Sequence, residues 1–145
     1  MRRPTDGAAR VLLITPTIAD IEVVAALLQP YAPEQLVSVD GVSAALVEAC
    51  GRALGIKIRQ LDVATDAAST LDAVAADAQG NTIALLVPLE AVPGIVAYAL
   101  GVSDEAAPRF EFASNAISVL ECDADGRWAV VRVNEGAWPP GPATP

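Results

Sequence analysis

Glu90, Asp66, Thr15 and Thr17 are the residues of this 145-residue chain whose types could do chemistry. A pair of carboxylates can pass protons as general acid and base, and carboxylates grouped with hydroxyls can hold a cation, an amine or a water. Glu90 is the lone charge in the run Thr82 to Val102. The plain structural alternative is a helix-start carboxylate favoured by the macrodipole, with Thr15 and Thr17 as a strand end and a helix cap. So few scattered oxygens make a poor metal site, so no metal and no cofactor are expected. Ser38 has no base to activate it, because the chain contains no histidine.

Strands and helices alternate along the chain. Arg10 to Thr15 is a continuous apolar run bounded by Pro16, a strand buried on both faces. Ile18, Ile21, Val24 and Leu28 then repeat at helical spacing, Thr17 and Asp20 have capping-box spacing, and Pro30 stops the helix. Gln35 to Val39 is a second strand. Asp40 can cap the following helix, whose Val42, Leu46, Ala49 and Ala53 share one face and which Gly55 ends. Ile56 to Leu61 alternates apolar with charged residues, as an edge strand or one with a wet face does. Thr65 or Asp66 opens a third helix carrying Leu71, Val74, Ala75 and Ala78, closed by Gly80.

Ile83 to Val87 reads as the central buried strand, and a helix runs from near Pro93 to Gly101. The turn Pro88-Leu89-Glu90 therefore sits where α/β proteins keep their working groups. Ala116 to Cys122 and Arg127 to Val133 form a hairpin around Asp123-Ala124-Asp125-Gly126, with Trp128 packed in or beside it. The pattern predicts a single domain over 10–138, a loose tail over 1–9 and a proline-rich tail over 139–145. Trp138, Pro139 and Pro140 could serve as a lid or a contact surface, or remain a tail.

Eighteen acidic residues against nine basic ones leave a net charge of −9. Such a field repels polyanions and phosphorylated substrates, and nucleic acid is not an expected partner. Cys50 and Cys122 have no metal-like spacing and no signal peptide is visible, which points to reduced thiols and a cytoplasmic protein. Thr82 to Val102 is long enough to span a bilayer. Pro88, Glu90 and Pro93 interrupt it and no Lys or Arg flanks it, so no membrane role is expected. The apolar helix faces suit a homodimer as readily as a core.

The run from Val11 to Trp138 resembles the histidine phosphatase superfamily, and in size its phosphohistidine phosphatase members. The likeness rests on Val11-Leu12-Leu13-Ile14-Thr15-Pro16-Thr17, on Gln35 to Ser38 with the helix of Val42 to Gly55, on Ile83 to Gly101, and on the Ile117 to Val133 hairpin followed by Asn134 to Trp138. The resemblance implies a three-layer α/β/α, phosphoglycerate mutase-like fold with a mainly parallel sheet and a C-terminal antiparallel hairpin. It also implies a pocket in which one histidine attacks phosphorus, two arginines and a second histidine bind the phosphoryl oxygens, and an acid protonates the leaving group. Here the first motif, Arg-His-Gly in that family, reads Thr15, Pro16 and Thr17. The helix arginine reads Val42, and the second histidine reads Pro88 or Leu89.

Asp66, or Asp62, falls near where some members keep their acid. A phosphohistidine mechanism is excluded in a chain without histidine. The leading expectation is a pseudoenzyme with a binding, structural or regulatory role, acting on a protein partner or a small non-anionic ligand. The alternative is a repurposed enzyme using Glu90 or Asp66 as acid or base in the old pocket, which requires a buried carboxylate with a raised pKa. A doubly wound, flavodoxin-like binding domain would instead show an all-parallel sheet without the closing hairpin.

Overall fold

The structure, a computed structural model, describes residues 8–61, 66–78 and 80–136. Asp62, Thr65, Trp138, Pro139 and Pro140 lie outside the described residues, as do 1–7 of the expected N-terminal tail. Among the described residues six strands form one sheet: β1 (Ala9–Ile14), β2 (Gln35–Ser38), β3 (Lys57–Gln60), β4 (Thr82–Leu86), β5 (Ile117–Cys122) and β6 (Trp128–Glu135). The spatial order is β3-β2-β4-β1-β5-β6. β1 to β4 pair in parallel, β5 runs antiparallel to β1, and β6 returns antiparallel to β5. The closing hairpin and its turn match the Asp-Gly signal, with Gly126 at φ 85° and Asp123 Oδ1 accepting from the N–H groups of Asp125 and Arg127, each at 2.9 Å.

Among the described residues four helices cover the two faces: α1 (Ile21–Leu28), α2 (Ala44–Leu54), α3 (Ala67–Asp77) and α4 (Val92–Leu100). Because side chains alternate along a strand, Leu12 and Ile14 pack with Val24 and Leu28 of α1 and Val47 and Cys50 of α2. Val11 and Leu13 pack on the other face with Leu71 and Val74 of α3 and Val92, Ile95 and Val96 of α4. β1 and β4 are buried throughout, which is why they read as unbroken apolar runs. Trp128 is half-buried against the α3/α4 side of this core.

α4 begins and ends where its proline and glycine place it: Pro93 lies in the first turn and Gly101 caps the last at φ 75°. At nine residues it is far too short for a bilayer. Among the described residues no helix is long and apolar enough to cross a membrane.

Several local expectations are corrected. Thr17 and Asp20 make no capping box; Ile18–Asp20 is a short 3-10 turn, and Ile18 is 56% exposed instead of facing the core. Asp40 does not cap α2. Ser43 does, accepting from the Leu46 N–H at 3.2 Å, so the helix starts later than expected. Its buried face is Val47, Cys50 and Gly51, not Val42, Leu46, Ala49 and Ala53. A Cβ on Gly51 would come within 2.5 Å of Ile58, so the bare helix backbone lets β3 pack closely and sets the rotation of α2.

Candidate functional site

The sheet order decides where a site can form. β1 leads into α1 on one face, while β4, its neighbour, leads into α4 on the other. Chain leaving the C-terminal ends of β2, β4 and β1 therefore diverges, and a crevice opens there. Thr15, Pro16, Thr17, Val42, Pro88, Leu89 and Glu90 all belong to segments that follow these strand ends.

The structure splits this set into two groups. Between β1 and β4 the crevice is stitched shut: Val87 N–H donates to the Ile14 carbonyl at 3.2 Å, and Thr15 Oγ1 donates to the Val87 carbonyl at 2.7 Å. Thr17 is also engaged. Its N–H donates to Asn115 Oδ1 at 2.8 Å and its hydroxyl to Asp20 Oδ2 at 3.1 Å. Asn115 closes the ring by donating from Nδ2 to Asp20 Oδ2 at 3.2 Å, and it holds a left-handed backbone at φ 66° that asparagine tolerates. Pro16 is buried, and Val42 packs with the α1/α2 side of the core. The strand-end hydroxyls are thus tied to the protein's own acceptors.

Between β2 and β4 the crevice stays open as a cleft of about 300 Å³. Asp40, Asp66 and Glu90 line it, with Val39, Val87, Pro88, Ala91 and Ile95 as its apolar wall. No Lys or Arg stands among its described lining residues. Glu90 and Asp66 do share this cleft, as their sequence positions suggest. Thr15 and Thr17 do not line it, and Leu89 packs toward the α3/α4 core. Gly41, at φ 98°, lies against Pro88 of the cleft: a Cβ there would sit 2.8 Å from Pro88 Cγ.

Neither expected acid is a buried carboxylate. Glu90 is exposed. Asp66 is the N-cap of α3, and the Ser69 N–H that its Oδ1 accepts at 2.7 Å holds its carboxyl below the usual range. A carboxylate depressed in the fold stabilises the protein above its unfolded pKa of about 3.9, and that stability is lost as pH falls through the folded value. Asp66→Ala is therefore expected to lower the melting temperature near neutral pH. At about pH 3 the gap to the parent narrows. A gap equal at both pH values would refute the capping role.

The thiols offer no substitute nucleophile. Burial pushes Cys50 up to about 11, and burial followed by the Asp123 charge raises Cys122, so both stay protonated near neutrality. Among the described residues no group of three or more His, Cys, Asp or Glu is arranged to hold a metal ion. Asp40 and Asn115 are the site residues that sequence reading missed. Asp40 could have been found by its place directly after a strand end; for Asn115, at the entry to β5, no local signal exists.

In sequence the chain matches no protein-family model and no curated protein; its likeness to known proteins is one of shape. It is similar to a phosphoglycerate mutase of Plasmodium falciparum, with a TM-score of 0.72 at 10% identity over 95% of this chain and 98% of that one. A protein of Agrobacterium tumefaciens assigned as the phosphohistidine phosphatase SixA superposes with a TM-score of 0.62 at 19% identity, over 85% of this chain and 95% of that one. A mycobacterial glucosyl-3-phosphoglycerate phosphatase solved with VO3 gives 0.65 at 12% identity, over 93% of this chain and 100% of that one. With its six-stranded sheet and antiparallel closing hairpin, the chain has a phosphoglycerate mutase-like fold.

Proposed function

We propose that the chain is a catalytically inactive, histidine-phosphatase-like pseudoenzyme, cytoplasmic, whose role is to bind a protein partner or a small non-anionic ligand. The observation that carries this reading is the chemistry of the strand ends. A phosphoryl group needs a nucleophile and cations around its oxygens. This chain has no imidazole, its strand-end hydroxyls are engaged internally, and its open cleft is lined by carboxylates without a described cation. An anion entering that cleft meets like charge, whereas an apolar or amine-bearing group meets a suitable wall.

Acid–base chemistry through Glu90 or Asp66 is the alternative, and it has less support: one carboxylate is exposed and the other is held ionised by a helix N-terminus. The partner could also be a second copy of the chain.

The test pairs an activity with a binding readout. The purified protein is expected to hydrolyse neither p-nitrophenyl phosphate nor a phosphohistidine peptide above the buffer rate, and vanadate is expected to leave its melting temperature unchanged. Hydrolysis that disappears in Glu90→Gln or Asp66→Asn would overturn the proposal in favour of a repurposed enzyme.

A further inference from the structure

The two edges of the sheet are not alike. β6 is interrupted by two register shifts against β5, and Asn134 within it has a left-handed backbone at φ 54°. Such bulges spoil an edge as a template for another strand. β3 keeps unbroken parallel register with β2 from Lys57 to Gln60. The Leu61 N–H donates to the Ser38 carbonyl at 2.9 Å, and backbone groups alternate sides along a strand. Ile58 and Gln60 therefore turn their N–H and C=O groups away from β2. Both residues are exposed, Ile58 by 44% despite its size.

Charge singles out the same edge. In a chain of net charge −9 with nine cations, Arg52, Lys57 and Arg59 fall within one short stretch. Arg59 already has a partner, but Arg52 and Lys57 form no ion pair among the described residues. At the start of the strand lies a cavity of about 400 Å³ bounded by Glu34, Gln35, Gly55, Lys57 and Asn81. Gln35 lines this cavity, and its Oε1 is buried without a hydrogen-bond partner.

We propose that the β3 edge is a docking site for an extended acidic segment of a partner protein, which adds as a seventh strand beside Ile58 and Gln60. The backbone supplies the affinity, Lys57 selects for acidic residues, and the cavity takes one side chain. A second copy joined through the same edge would bring Lys57 against Lys57 or Arg59, so the charges favour an acidic segment instead. The cavity at the start of β3 lies at the opposite end of the sheet from the strand-end cleft.

Ile58→Pro is the decisive variant. It removes an outward N–H and no bond to β2, a substitution edge strands accept, and it also takes the Ile58 side chain off Gly51, so circular dichroism first checks that the fold is retained. Gln60→Pro does the same two residues on, should the first variant fail to fold. The probe is a fluorescein-labelled peptide of alternating glutamate and valine, followed by fluorescence polarisation. Saturable binding is expected, weakened at least about tenfold by either proline and by Lys57→Glu. Absence of saturable binding, equal binding to the folded proline variants, or equal binding of an alternating lysine–valine peptide would overturn the proposal. So would a dimer in sedimentation that Ile58→Pro dissolves, which would assign the edge to a second copy.

Discussion

Glu121→Ala is expected to destabilise the protein by about 3 kcal/mol, the cost of leaving a buried charge without its partner. Arg10 sits in β1 directly opposite Glu121 of β5 and is only 4% exposed. Its Nε donates to Glu121 Oε2 at 3.0 Å, and the carboxylate side chain is 22% exposed. That partial exposure softens the pair and places the loss at the lower end of the range for buried ion pairs. Removing both charges at once has a different sign of logic. Arg10→Met with Glu121→Leu exchanges two desolvated ions for apolar contact and is expected to recover most of the loss, or all of it. Urea unfolding of the parent, the single and the double variant measures this. A double variant as unstable as Glu121→Ala would show that the pair is a net source of stability.

The second large effect lies in β4. Leu85→Ala is expected to cost about 4 kcal/mol, high in the range for buried leucines. Leu85 is fully buried, with β2 and β1 paired on either side of its strand and helices over both faces, so the surroundings cannot collapse into the space left behind. Ile58→Ala on the edge strand is the control and is expected to lose less than about 1 kcal/mol, since Ile58 is 44% exposed. Similar losses at the two positions would mean that the sheet centre repacks and that the fold is softer than its burial implies.

Features legible in the sequence are those that local chemistry dictates. Unbroken apolar runs marked β1 and β4 because both faces of those strands are covered. Pro93 and Gly101 bounded α4, and the Asp-Gly step turned the hairpin, because each fixes backbone angles regardless of context. Alternation marked β3 as an edge strand or one with a wet face, and the sheet order makes it an edge. What failed was rotation and capping. The inner face of α2 was misjudged because small residues lie all round it, and the deciding contact, Gly51 against Ile58, is made by a strand that comes later in the chain.

The sequence by itself determined which groups exist: no imidazole, a surplus of carboxylate, and threonine, proline and valine at the positions where the resemblance implies charged or histidine side chains. It also determined the order of strands and helices, since periodicity and breakers act over a few residues. Only the tertiary structure decided which of those groups meet. β4, late in the chain, inserts between β2 and β1, and this brings Glu90 to the same cleft as Asp40 and Asp66 while the Thr15 hydroxyl is drawn onto the Val87 carbonyl. Those partners are separated by long stretches of chain, and no local pattern encodes a pairing that arises from burying both faces of one sheet.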